Sequence, residues 1–198
     1  MMKKFEKKIC NKTFVVNAEG ELESQVNLLF EVLSEIEEQR LVSGFSLQIG
    51  WGIYYLSEEN ENEFVITTPD YLENPSKKTT IDLTLSLWVQ LEQTHLLRIL
   101  QLEGMTTKYS DKIIMERNVL DGEKFYLQRT RAVEKGDSGW YVGTIKEETK
   151  EIYAIYAYEL LKMKPQIIKL LSLPNDYMVF FDKGEVKSIV DADNNILI

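Results

Sequence analysis

The sequence predicts an α+β protein made of two small domains, each a mostly antiparallel sheet with one or two packed helices. Short runs rich in β-branched and aromatic residues alternate with turn residues along much of the chain, a pattern typical of antiparallel strands. Two longer segments instead repeat apolar residues at spacings of three and four, which predicts amphipathic helices. The length of 198 residues is sufficient for one large domain or two small ones.

The first part of the chain, residues 1–104, is predicted to form an acidic α+β domain. Residues 13–16 are a short β-branched and aromatic run, which predicts a strand. Residues 20–40 predict a helix, because apolar residues follow a 4-3-4-3 spacing and glutamates occupy the other faces. The apolar positions of this helix are Leu22, Val26, Leu29, Leu33 and Ile36.

Residues 45–56 and 64–68 predict two strands, and the polar link between them predicts a hairpin. Gly50 and Gly52 begin like a nucleotide-binding fingerprint, but the third glycine is missing and the context is a hairpin. We therefore expect these glycines either to create a bulge or to let another backbone approach Trp51. A second helix, capped by Thr79 or Thr80, is expected to extend to about residue 102.

The polar segment 104–111 predicts a domain boundary, because it separates a long helical pattern from a new apolar strand. A second domain, 112–198, is expected beyond it. Its predicted elements are strands at 112–115, 124–131, 140–145 and 152–157, short helices near 159–161 and 165–171, and a hairpin at 178–190.

The net charge of −9 is unevenly distributed, with −8 in residues 1–103 and −1 in the remainder. Binding to nucleic acid requires a basic face, which this pattern does not provide. No apolar run reaches the roughly 18–20 residues of a membrane span, so no membrane association is expected. The acidic half favours solubility or attraction to a cationic partner.

A cytoplasmic location is expected from two observations. Cys10 is the only cysteine, so an internal disulfide is excluded, as in proteins of reducing compartments. The basic start of the chain lacks the apolar region and the cleavage site of a signal peptide.

Gly136-Asp137-Ser138-Gly139 resembles the nucleophile segment of chymotrypsin-type proteases, but a catalytic triad also needs an imidazole. His95 is the only histidine and lies in the middle of a predicted helix. We therefore expect Ser138 to be a turn residue, with Ser138→Ala costing no more than about 1 kcal/mol of stability. No catalytic residue is predicted.

No metal or cofactor site is predicted either. A zinc site needs three or four ligands, and only carboxylates could accompany His95. Asp191 opens a segment like the start of an EF-hand loop, but Ile196 stands where that loop has glycine.

Read with its flanks, Asp137-Ser138-Gly139-Trp140 resembles the core motif of the Asp-Ser-Gly-Trp family of bacterial polymorphic-toxin immunity proteins. The order of the surrounding segments is also similar over about residues 112–191. The matching segments are Arg117-Asn118-Val119-Leu120-Asp121-Gly122, Tyr126-Leu127-Gln128-Arg129 and Gln166-Ile167-Ile168-Lys169-Leu170-Leu171. This chain departs from the family in one place, since Gly143 follows Trp140 by three positions instead of about five.

This resemblance implies a protein that binds and inhibits a toxin without chemistry. The candidate partner-binding residues are Asp137, Ser138 and Trp140 in the motif, and Glu31, Glu35 and Glu38 on the acidic helix. Trp140 could be an interface anchor or a core residue.

Two alternatives stay open. One is a hydrolase or transferase whose carboxylates are brought together by the fold, and the other is a structural or regulatory homo-oligomer.

Overall fold

The computed structural model describes residues 1–145 and 151–198. The chain divides into two compact units, Met1–Glu92 and Gln93–Ile198. Each unit contains a sheet of six strands and a few helices. One neighbouring pair in each sheet is parallel and the other pairs are antiparallel, so the predicted α+β class is confirmed.

The elements of the first unit are β1 (Met2–Ile9), β2 (Lys12–Glu19), α1 (Glu23–Ser34), β3 (Ser46–Ile49), β4 (Gly52–Asn60), β5 (Glu63–Pro69), β6 (Thr79–Thr80) and α2 (Thr84–Leu100), which continues into the second unit. The sheet has the strand order β1-β2-β5-β4-β3, with β6 paired to β5. Strands β2 and β5 are the parallel pair, and the rings of Phe14 and Phe64 stack across them at 5.5 Å.

The predicted helix at 20–40 is too long, because α1 ends at Ser34. The Ser34 hydroxyl donates to the Phe30 carbonyl at 2.7 Å, and the Ile36 amide donates to the Leu33 carbonyl, which tightens the last turn. Leu41 is completely buried in the same core cluster as Leu33. The chain therefore turns back onto the core after Ser34 instead of continuing along the helix axis.

The predicted strand at 45–56 is also divided in the structure. Gly50 has a φ of +52° and, with Trp51, forms a turn between β3 and β4, which pair as a hairpin. Gly50 therefore makes a turn and not a bulge, whereas Gly52 begins β4, where a Cβ would collide with the Ser86 hydroxyl. The predicted hairpin that follows is confirmed as the antiparallel pair β4–β5.

Neither predicted cap begins the second helix, because Thr79 and Thr80 form the short strand β6. The helix begins at Thr84, whose amide donates to Oδ1 of Asp82 at 2.9 Å. The carboxylate of Asp82 thus caps the positive end of α2.

The elements of the second unit are β7 (Lys112–Glu116), β8 (Lys124–Arg129), β9 (Asp137–Thr144), β10 (Ile152–Tyr156), α3 (Leu160–Met163), a 3-10 helix (Pro165–Ser172), β11 (Met178–Asp182) and β12 (Glu185–Val190). The sheet has the order β10-β7-β9-β8-β11-β12, with β7 and β9 parallel. Its strands lie close to the predicted ranges, and the predicted hairpin at 178–190 is the pair β11–β12.

The division between the units lies within α2, ahead of the predicted boundary at 104–111. That polar segment packs in the second unit, where the Met105 amide donates to the Ser172 carbonyl at 2.9 Å and the Thr107 hydroxyl donates to the Leu171 carbonyl at 2.8 Å. Independent folding of 1–104 and 112–198 stays a prediction. In the part of the chain that the structure describes, no helix is both long enough and apolar enough to cross a bilayer.

Candidate functional site

The Asp-Ser-Gly-Trp segment begins β9 and closes the preceding loop. The Asp137 carboxylate accepts from the Gly139 amide at 2.8 Å and from the Val133 amide at 2.9 Å. Gly139 has a φ of +75°, and a Cβ at this position would lie inside 3.0 Å of the Thr130 carbonyl oxygen. The Thr130 amide in turn donates to the Gly139 carbonyl at 2.9 Å. The positive φ and the contact with Thr130 require glycine here, and the hydrogen bonds close the loop.

Ser138 connects two neighbouring strands. Its hydroxyl donates to the Lys112 carbonyl at the start of β7 at 2.6 Å and accepts from the Trp140 amide at 3.1 Å. The residue is 3% exposed. His95 is exposed on α2 and lies 3.3 Å from the Arg98 guanidinium. Both hydrogen bonds of Ser138 join the turn to the neighbouring strand, which agrees with the structural role predicted for this serine.

Trp140 lies in the core of the second unit and is 1% exposed. Its indole Nε1 donates to the Leu171 carbonyl at 3.3 Å, and the Arg129 guanidinium lies 5.6 Å from the ring centroid. Trp140 is therefore a core residue in this structure and not an exposed interface anchor. The indole presents no surface to a partner in this conformation.

Arg129, at the end of β8, lies beside the Trp140 ring and is 2% exposed. Its guanidinium donates to the carbonyls of Met105, Thr106, Leu171 and Leu173 at 2.6–3.2 Å. Burial lowers the pKa of Arg129 to about 10, so the group is charged at neutral pH. The resemblance included Arg129, but its role could not be read from the sequence because all four partners are backbone carbonyls.

The opposite side of the same sheet is not packed in the core, and we call it the open face. On β8 and β11, buried residues such as Leu127 and Val179 alternate with partly exposed ones. The partly exposed residues include three aromatics in contact, since the Tyr126 ring lies 6.1 Å from that of Tyr141 and 6.3 Å from that of Phe180. The open face consists of Ile114, Tyr126, Gln128, Tyr141, Met178 and Phe180.

Gly143 allows these rings to lie close to the sheet. A Cβ on Gly143 would lie 2.5 Å from Cε1 of Tyr141 and 3.0 Å from Cε1 of Tyr126. The two tyrosines therefore cover the backbone of β9, where any side chain would displace them. The result is a continuous aromatic surface across β9, β8 and β11.

Glu116, at the end of β7, lies at the margin of the open face and is buried. Its Oε1 accepts from the Tyr141 hydroxyl at 2.8 Å, and its Oε2 accepts from the amide and the hydroxyl of Thr144. Burial, together with the hydrogen bond to Glu116, raises the pKa of Tyr141 to about 12. Tyr141 is therefore a neutral donor at physiological pH, with its ring held in place by the carboxylate.

The three glutamates proposed for partner binding are exposed, but they do not share one helix. Glu31 lies on α1, Glu35 is the residue directly after α1, and Glu38 lies in a separate 3-10 turn, Glu38–Arg40. The regular i, i+4, i+7 face expected from a helix at 20–40 is therefore absent from this described segment.

The EF-hand-like segment forms a turn. The Asp191 Oδ1 accepts from the amides of Asp193 and Asn195 at 2.9 Å and 2.8 Å, and the hydrogen bonds from Asn195 lower the pKa of Asp191. Among residues 1–145 and 151–198, no group of three or more His, Cys, Asp or Glu side chains is arranged to hold a metal ion.

A family model described as the Imm33-like domain matches residues 92–192. The match covers slightly more than half of the chain and contains the Asp-Ser-Gly-Trp segment, Arg129 and the open face. Neither the curated proteins nor the solved structures contain a match to this chain. The immunity-family resemblance is confirmed by the family model, and the chain belongs to the Imm33-like family.

Proposed function

We propose that this protein is an immunity protein that binds a toxin and inhibits it by covering part of the toxin's surface, without catalysing a reaction. Membership of the Imm33-like family supports a protein partner in general terms. The observation that carries the proposal is the open face, because it places an aromatic surface on the rigid sheet of the matched domain.

The composition of the open face suits protein recognition. Tyrosine, phenylalanine and methionine are enriched in protein interfaces, and tyrosine contributes a large contact area with little conformational entropy to lose. The rings of Tyr126 and Tyr141 are already held over Gly143, and Tyr141 is further held by Glu116. Such preorganisation lowers the entropic cost of association. In this proposal Tyr126 and Phe180 contribute most of the binding energy.

The partner in this proposal is cationic. The −8 charge of residues 1–103 attracts a basic toxin over the Debye length of about 8–10 Å at physiological salt. Glu31, Glu35 and Glu38 contribute to this attraction as exposed charges and not as a shaped surface. Their replacement by glutamine lowers the association rate and weakens its salt dependence, while the dissociation rate changes little.

The test begins with capture of the partner from the native host. A captured protein counts as the toxin only if its expression arrests growth and co-expression of the immunity protein restores growth. The double variant Tyr126→Ser/Phe180→Ser is then compared with the wild type by surface plasmon resonance. Loss of two aromatic contacts predicts an affinity at least about 30-fold lower, equivalent to about 2 kcal/mol.

The matched control is Tyr55→Ser, which removes a partly exposed tyrosine from strand β4 of the other sheet. We expect it to change the affinity by less than about threefold. Circular dichroism verifies that both variants are folded. The proposal is wrong if the double variant binds and protects like the wild type, or if the captured protein is chemically modified in place of being bound.

A further inference from the structure

A cavity of about 320 Å³ lies in the first unit, between the end of β5, the loop that follows it, β6 and the start of α2. We propose that this cavity, the acidic pocket, binds an organic cation with an apolar stem, of the guanidinium or alkylammonium class found in arginine and lysine side chains. The residues that carry the argument are Asp70, Tyr71, Leu72, Asp82, Leu85 and Trp88.

The size of the acidic pocket limits the ligand to about one side chain. Protein ligand sites range from about 300 to 1,000 Å³, so this cavity is at the lower end. Leu72, Leu85 and Trp88 give it apolar walls, which suit the methylene stem of a long cationic side chain.

The charge of the acidic pocket selects a cation. Asp70 and Asp82 both line it, and none of the lysine, arginine or histidine residues that the structure describes does. The Asp70 Oδ1 accepts from the amides of Leu72 and Glu73 at 3.2 Å, and the Asp82 Oδ1 accepts from the Thr84 amide at 2.9 Å. The backbone thus orients each carboxylate through one oxygen.

Two nearby positive charges oppose a cation, but neither neutralises the pocket. The N-terminal end of α2 carries roughly half an elementary charge, against two full negative charges. Lys78 interacts electrostatically with Asp70, but its ammonium is exposed and forms an ion pair with Glu73. The pocket therefore remains net negative.

Trp88 adds a second source of affinity for a cation. Tyr71 is buried, and its hydroxyl lies 3.1 Å from the Thr68 hydroxyl and accepts from the Ile53 amide at 3.4 Å. Trp88 packs against the core of the first unit. Tyr71 therefore supports the wall from behind, whereas Trp88 is partly exposed and its ring is positioned before a ligand arrives. Aromatic faces attract guanidinium and ammonium groups.

The test uses butylguanidinium as the probe and the neutral, similarly shaped butylurea as its match. Each is titrated into the full-length protein while ¹H–¹⁵N NMR spectra follow the Trp88 indole. We expect a saturable shift with butylguanidinium and binding at least about tenfold weaker with butylurea. Asp70→Asn and Asp82→Asn, alone and together, should each weaken butylguanidinium binding, most strongly in the double variant.

These variants remove charge and keep the local fold, because asparagine retains the oxygen that accepts the backbone bonds and is a good helix cap. Asp121→Asn, an exposed site in the second unit, is the charge-matched control and should bind like the wild type. The inference is refuted if butylguanidinium gives no saturable shift, if butylurea binds equally well, or if the double variant binds unchanged.

A further comparison distinguishes the two sources of such a cation. If blocked N-acetyl-arginine methylamide binds at least as tightly as butylguanidinium, the natural ligand is a side chain of a protein. If only the small cation binds, the ligand is a free amine or guanidine. The inference does not depend on the toxin-binding proposal, since none of these measurements requires the toxin.

Discussion

Replacement of Gly139 by alanine tests whether the Asp-Ser-Gly-Trp segment depends on its backbone geometry. Gly139 has a φ of +75°, and an added Cβ would collide with the Thr130 carbonyl. Gly136 is the matched control, because its φ is +88° and a Cβ there would meet nothing within 4 Å. Both substitutions place an alanine in a left-handed conformation, but only Gly139→Ala also adds a steric conflict.

The expected magnitudes follow from this difference. A left-handed conformation costs an alanine about 1–2 kcal/mol, partly offset by the lower entropy of its unfolded chain, so Gly136→Ala should cost about 1 kcal/mol. Gly139→Ala adds about 1–3 kcal/mol of overpacking. It also weakens the hydrogen bond from Thr130, which is worth about 1 kcal/mol. The total for Gly139→Ala is therefore about 3–5 kcal/mol.

Hydrogen exchange measured by mass spectrometry gives the unfolding free energy of the second unit separately, from peptides that cover β8 and β9. Peptides from β4 and β5 should exchange as in the wild type, which provides an internal reference. A difference of less than about 1 kcal/mol between the two variants would show that the Thr130 contact imposes no steric requirement.

Two further predictions concern the same sheet. The expected loss of stability for Ser138→Ala rises from about 1 to about 2 kcal/mol, because the Lys112 carbonyl and the Trp140 amide both lose a buried partner. Hydrogen exchange measures this loss. Covalent labelling of Ser138 by a fluorophosphonate would contradict its role as a turn residue. Tyr141 should ionise near pH 12, as measured by the tyrosinate absorbance that Tyr141→Phe removes. Its folded pKa lies above the unfolded value of 10.0, so its contribution to stability is complete below pH 10 and is lost as the pH rises through about 12. Glu116→Gln should lower this pKa only in part, because burial remains, and a wild-type value near 10 would contradict the environment seen here.

Most strands were predictable because their alternation is strong, but β1 was not. Only Phe5 and Ile9 of this strand are buried, and lysines occupy most of the positions between them. Charged residues are typical of edge strands, where they prevent pairing with other chains. Strand β1 is such an edge strand and, among the strands of residues 1–145 and 151–198, pairs only with β2. Its periodicity was therefore hidden by the residues that protect the edge.

The open face could not be assembled from the sequence for a different reason. The alternation that exposes Tyr126 on β8 and Phe180 on β11 is visible in the sequence. Their proximity depends on the pairing of β8 with β11, two strands that are far apart in the chain. Sheet order is a tertiary property, and local periodicity does not determine it.

The geometry of the motif also limits what a match to it implies. Asp137, Ser138, Gly139 and Trp140 all form hydrogen bonds with the chain's own backbone, and Arg129 does the same. These residues therefore specify how the loop and two strands are joined. The identity of a partner must depend on other side chains. Within the matched domain, aromatic side chains lie together at the surface on the open face and also at Tyr156 and Tyr158. The motif thus determines the scaffold, and in our proposal the residues around Tyr126 determine what the scaffold binds.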